Sequence, residues 1–257
     1  MKIREIYDLA CKIAPIELSK AFVEKVDGYD NSGIIIETDR EIKKVLFTLD
    51  LFPQCAEYAI ANEFDLIITH HPAIYTPIRS LSLVNNNALT RCALNGIGVI
   101  SMHLNLDIAE GGIDHCLAVG LGAKKPKILT YVTEECGYGR LFNVEKTTLE
   151  GLKQKIQQVF ETDNVMVFGK RDREIKKVAS FCGAGCDIGE LNLAEGADVV
   201  VSADFKHHVI REALNRGMCV VQMTHYASEN YGMKAFATNL TKLLGEVKTA
   251  YYGTAEF

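Results

Sequence analysis

No two cysteines of this 257-residue chain stand at C-x-x-C spacing, so the paired thiolates that usually announce a structural zinc site are missing. The eight cysteines are scattered, and Cys92, Cys116 and Cys219 lie in apolar segments where a free thiol behaves as a small hydrophobe. Cys182 and Cys186 come nearest to a pair, on a glycine-rich stretch, and read as buried or inert thiols rather than as a metal site. The chain also lacks any apolar run near the roughly 18 residues that span a bilayer, and its start, Met1-Lys2-Ile3-Arg4-Glu5, lacks the apolar core of a signal peptide. A cytoplasmic protein with no membrane partner is the expectation. Positive charge is in deficit: 28 Lys and Arg against 33 Asp and Glu leave a net charge of −5, without long runs of one sign. That offers no broad basic face for the counterion release that drives nucleic-acid binding, so nucleic acid is not an expected partner. Internal repeats and low-complexity tracts are absent as well.

What is present is a globular composition, 48% apolar and 24% charged. The length allows one large α/β domain or two smaller lobes. Runs rich in Val, Ile and Leu at Lys44 to Thr48, Leu66 to Thr69, Gly98 to Met102, Lys177 to Phe181, Val199 to Ser202 and Cys219 to Met223 read as buried strands. Between them, Gln54 to Glu63, Val84 to Asn95, Asp187 to Glu195, Phe205 to Arg216 and Ser228 to Leu244 read as amphipathic helices, with Gly96, Gly196 and Gly217 at helix ends. Alternating strand and helix implies largely parallel sheets covered on both faces. The polar break Lys124-Lys125-Pro126-Lys127 is followed by a strand-helix-strand pattern over Leu141 to Phe168. The fold expected is therefore α/β in two lobes, each a mainly parallel or mixed sheet flanked by helices. The first spans 1–125 and is completed by 226–257, the second spans 126–225, and a metal site lies in the cleft between them.

Histidines concentrate at His70-His71, His103, His207-His208 and His225, each at or just after a predicted strand end. In open α/β sheets ligands bind outside the carboxyl ends of strands, which makes that shared position informative. The strand before His70-His71 must stop at Pro72, which has no N–H for a central ladder. The bend can then splay both imidazoles toward adjacent ligands; a pair of solvated turn histidines is the plainer reading. Asp107, in His103-Leu104-Asn105-Leu106-Asp107, supplies a hard anionic oxygen suited to a divalent cation, or caps a helix. His225 and Glu229 are four apart, so on a helix they share a face one turn from each other; an ordinary helix start with a dipole-favoured glutamate is the alternative. Jointly the clusters suit two divalent ions ~3.5 to 4 Å apart. His103, His207 and Asp204 are candidates for proton transfer or support of the ligands, beside the alternative of structural histidines for the first two.

These residues carry a resemblance. Tyr29-Asp30-Asn31-Ser32-Gly33, Thr69-His70-His71-Pro72, Asn105-Leu106-Asp107 with Gly111-Gly112, and His225-Tyr226-Ala227-Ser228-Glu229 resemble the GTP cyclohydrolase 1 type 2 homologue family, the NIF-three-like proteins, nearly end to end. The resemblance implies His70, His71, Asp107, His225 and Glu229 as ligands of two divalent metal ions (zinc, iron or manganese), with Glu229 bridging. It also implies a homo-oligomer, a ring-shaped hexamer. Tyr29 stands where the family often has Trp, Leu104 where Thr is common, Ala203 before Asp204 where Gly is usual, and Thr224 where Gly usually precedes the metal histidine. The chain has no room for the large insertion of longer relatives, so the compact form is implied.

Two ions sharing a carboxylate support metal-dependent hydrolysis, with a nucleotide or related small molecule as substrate. The alternative is a metal-binding or regulatory assembly protein without chemistry, favoured by the lack of a guanine-reading or triphosphate-binding motif. A redox reading leans on Gly183-Ala184-Gly185-Cys186-Asp187-Ile188-Gly189, with Asp204 about twenty residues after Gly183. The last glycine is one residue late for the dinucleotide fingerprint, so a tight strand-helix turn is preferred and no nicotinamide cofactor is expected.

Overall fold

The apolar runs become central strands because they are covered on both faces, leaving only their ends to carry polar chemistry. In chain order the first elements are α1 (Ile3–Ile13), α2 (Ile16–Val26), β1 (Gly33–Ile36), β2 (Lys44–Thr48), α3 (Pro53–Ala61), β3 (Leu66–Thr69), α4 (Asn87–Leu94), β4 (Gly98–Ser101) and α5 (Leu104–Ile108). There follow α6 (Ile113–Leu121), β5 (Lys127–Tyr131), β6 (Gly137–Thr148), α7 (Leu149–Val159), β7 (Met166–Phe168), β8 (Glu174–Ser180), α8 (Ile188–Leu193), β9 (Val199–Ser202), α9 (His207–Asn215), β10 (Cys219–Gln222), α10 (His225–Thr241) and β11 (Lys248–Tyr252). The structure, a computed structural model, describes residues 1–26 and 28–253. The described residues divide into two units: Met1–Ala109 with 233–253, and Glu110–Gly232.

The first unit holds a five-stranded sheet in the order β1-β4-β3-β2-β11. Strands β4, β3, β2 and β11 run parallel, and β1 closes the edge antiparallel to β4. Helices α3 and α4 cover one face over a core of Leu46, Ala56, Ala59, Ile67, Cys92 and Val99. On the other face Phe47 meets Phe236 of α10 edge-on, ring centroids 6.3 Å apart. Register sets the carboxyl ends level: Thr48 lies beside Thr69, and Thr69 beside Ser101. All three are buried, and Thr69 Oγ1 and Ser101 Oγ share a hydrogen bond of 2.8 Å. Whatever follows these three strands therefore leaves the sheet at one level.

The second unit holds six strands in the order β5-β6-β8-β9-β10-β7. Its centre, β8-β9-β10, is parallel, whereas β5, β6 and β7 pair antiparallel. Phe181, Leu191, Val200, Phe205, Val209 and Val220 form its core. Helix α6 packs on α7 and β6. It is pinned by a fully buried ion pair of Asp114 with Arg140, 3.0 Å, and the Asp114 carboxylate also accepts from the Cys182 N–H. Burial pushes the Asp114 carboxyl up to about 6 against the pull of Arg140 and of the backbone N–H groups. Ser202 lies beside Gln222, so the ends of β9 and β10 are level here too. All eight cysteines are free, and among the described residues no helix is long and apolar enough to cross a membrane.

Candidate functional site

In the first unit the chain leaving β3 does not drift away from the sheet. The His70 N–H donates to the carbonyls of Thr48 and Leu49, 3.2 and 3.1 Å, and that of His71 to Leu49, 3.0 Å. Thr69 Oγ1 closes the turn by donating to the His71 carbonyl, 2.8 Å, before Pro72 ends the ladder. Two consecutive imidazoles are thereby held side by side, centroids 4.8 Å apart. His103, just past β4, joins them at 5.2 Å from His70 and 5.8 Å from His71. One ligand nitrogen from each of the three lies within 4.8 Å of the others. The short helix α5 then brings back Asp107, whose Oδ1 is 3.5 Å from His70 Nε2. His70 and Asp107 are both buried. Asp107 thus lies inside α5 and is not its N-cap, a position His103 occupies.

The second unit repeats the device. Helix α10 begins at His225, directly after β10, and Glu229 one turn later puts Oε1 3.1 Å from His225 Nε2. Asp204, just past β9, receives His225 Nδ1 on Oδ2 at 2.6 Å. Its φ of +47° is a left-handed backbone that Asp tolerates better than most residues, and it turns the carboxylate toward that ring. Gly183, past β8, has φ +55° and lies against the pair. A Cβ there would run into Glu229 Oε1 and lie 3.2 Å from His225 Nε2, so any other residue would strain the backbone and push the Glu229 carboxylate aside. Its N–H donates to Ser228 Oγ, 3.0 Å, tying the glycine loop to α10. The glycine-rich stretch is a tight turn, as read from the sequence, and it also walls the His225–Glu229 pair. Thr224 accepts from the Ala227 N–H at 3.1 Å as the N-cap of α10.

One pattern unites the four histidines. Nδ1 of each engages an oxygen: His70 the Met102 carbonyl (2.8 Å), His71 Asp50 (2.7 Å), His103 Asp30 (2.7 Å) and His225 Asp204 (2.6 Å). A carbonyl can only accept, so His70 Nδ1 carries a proton, and when neutral the ring presents its lone pair at Nε2, the tautomer a metal ligand needs. The carboxylates impose the same arrangement on the other three when neutral. In each unit an imidazole Nε2 then confronts a carboxylate oxygen, His70 on Asp107 and His225 on Glu229. Two acceptors repel unless a proton or a cation lies between them. By the chemistry of the donors, His70, His71 and His103 fit a divalent cation, and His225 with Glu229 offers two further donors of the same kind.

His103 differs in its support. Asp30, beneath it, also accepts from Ser19 and Ser32, at 2.5 and 2.6 Å. Burial opposes its ionisation, but the hydrogen bonds from His103, Ser19 and Ser32 win and hold its carboxyl down at about 2. His207 stands exposed at the first residue of α9. Sequence reasoning assigned no role to Asp50 or Asp30. The signal available for Asp50 was a carboxylate just past a buried strand, the position that marks His70, His103 and His225.

Two α/β units, each presenting imidazole and carboxylate donors at level strand ends, define the class as a two-unit α/β protein with metal-type donor sets. The chain belongs to the Duf34/NIF3 (NGG1p interacting factor 3) family, whose model matches residues 1–254. It is similar to the "GTP cyclohydrolase 1 type 2 homolog" of Methanocaldococcus jannaschii, 31% identical over 247 residues, 95% of this chain and 96% of that one. The protein of that name from Streptococcus pneumoniae is 32% identical over 204 residues, 77% of each chain. Among solved structures, "Reduced HcgD" from Methanocaldococcus jannaschii matches with TM-score 0.81 at 29% identity, covering 98% of this chain and 97% of that one. A Staphylococcus aureus hypothetical protein matches with TM-score 0.86 at 23% identity over 100% and 97%, a likeness of fold.

Proposed function

We propose that the two donor sets serve one dinuclear centre and that the protein is a metal-dependent hydrolase of a nucleotide or related small molecule. His70, His71, Asp107, His225 and Glu229 would hold two divalent ions, zinc, iron or manganese, with Glu229 shared between them. The observation that carries the reading is the common anchoring of Nδ1 in four imidazoles, two of which, His70 and His225, meet a carboxylate oxygen at Nε2. Such a pair of ions, when bound, supplies Lewis acidity and activates water at neutral pH.

The chain's own residues perform the rest. Asp50 and Asp204 lock the rings of His71 and His225, and Gly183 with Ser228 fixes the loop against Glu229. His103, not needed as a ligand in this scheme, takes up or releases a proton at Nε2 while Asp30 holds its Nδ1 proton and stabilises the imidazolium. The family name makes GTP the first compound to test. Turnover of a nucleotide panel by metal-loaded protein should be lost in Glu229→Ala; absence of any product that depends on both metal and Glu229 would count decisively against the hydrolase. We also propose a homo-oligomer, a ring-shaped hexamer, supported by the family resemblance and by the exposed apolar side chains of Leu81, Leu83 and Val84. Sedimentation of the native protein at a monomer mass would contradict it.

A further inference from the structure

Tyr29 and Tyr75 are 49% and 56% exposed. Single exposed aromatics are ordinary, but these two come from distant segments and are held together. Asn31 Nδ2 donates to the Ile74 carbonyl at 2.6 Å and ties the two segments. The rings meet edge to face, centroids 6.2 Å apart and planes at 90°, and Tyr75 stands 6.2 Å from the ring of His103. His103 is the residue assigned the proton, and it adjoins His70 and His71. An edge-to-face pair leaves an aromatic face uncovered, and a tyrosine gives up little conformational freedom when that face is used.

We propose that Tyr29 and Tyr75 form a stacking platform that holds a planar heteroaromatic ring of the ligand beside His103. The inference deepens the hydrolase reading and rests on it for the ligand class. Stacking reads the π face and not the hydrogen-bonding edge, so purines and pyrimidines are both accepted.

The test is calorimetric titration of the metal-loaded full chain with GMP, CMP and ribose 5-phosphate, alongside a turnover assay of the same preparations. Both nucleotides should bind about tenfold or more tightly than ribose 5-phosphate. Tyr29→Ala and Tyr75→Ala should erase most of that preference, whereas Tyr29→Phe and Tyr75→Phe, which keep the ring, should retain it. Melting curves check that the variants are folded, as expected for exposed side chains. Equal binding of ribose 5-phosphate, no binding of either nucleotide, or an unchanged preference in both alanine variants overturns the platform. Ring preference without turnover sinks the hydrolase and leaves the platform standing; turnover without ring preference does the reverse.

Discussion

Which nitrogen an imidazole offers is set by the partner of the other one, and Asp50 and Asp204 hold Nδ1 of His71 and His225. Removing the acceptor frees the ring to rotate and to change tautomer. Asp50→Ala and Asp204→Ala are therefore expected to weaken metal affinity by about 10- to 100-fold while leaving the fold intact, measured by competition with a chelating dye. Gly183→Ala places a Cβ against Glu229 in a left-handed backbone. It should cost about 1–3 kcal/mol of stability in denaturant unfolding and lower metal retention as well. Asp30 supplies a pH signature. Its folded carboxyl sits at about 2, below the ordinary 3.8, so its contribution to stability is complete above about pH 4 and lost as pH falls toward 2. Solvent screening limits that contribution to at most about 2 kcal/mol. Acid unfolding of Asp30→Asn should show a smaller loss across that window than the wild type; an identical acid limb would show that Asp30 is not held as described.

At the scale of elements, legibility followed burial. Strands β2, β3, β4, β9 and β10 were readable as Val, Ile and Leu runs because central parallel strands are apolar on both faces. The edge strands β1 and β11 were not. Half-covered Gly33–Ile36 and Lys248–Tyr252 are defined by pairing with β4 and β2, distant partners that no local pattern reveals. Strand β6 was readable only over Leu141 to Val144; its polar second half is ordered by pairing with β8. Helix α10 starts three residues earlier than its apolar periodicity suggests, because Thr224 caps it and His225 and Glu229 spend the first turn on the site instead of the core. Thr224→Ala should cost about 1 kcal/mol, a fall in Tm of about 2–4 °C. An unchanged Tm would mean that the cap carries no weight.

At the scale of the molecule, the polar stretch 122–126 links α6 to β5, and α6 falls in the same unit as the strands that follow it. Besides its buried apolar residues, α6 contributes Asp114 to the buried pair with Arg140, two residues to which the sequence reading gave no role. Asp114→Ala leaves a buried guanidinium without its counter-ion and should destabilise by about 3–5 kcal/mol in denaturant unfolding. The candidate donors could be named from sequence because histidine and carboxylate at strand ends are a local pattern. Their Nδ1 partners were not, since Asp30 meets His103 and Asp50 meets His71 only through the fold.

The central claim is that these donors hold a pair of ions, and metal counting tests it most directly. Elemental analysis of native protein after gel filtration should find about two equivalents of divalent metal per chain in the wild type and less than one in Glu229→Ala. A wild-type chain that retains no more than one ion, or a Glu229→Ala variant that keeps both, contradicts the dinuclear centre.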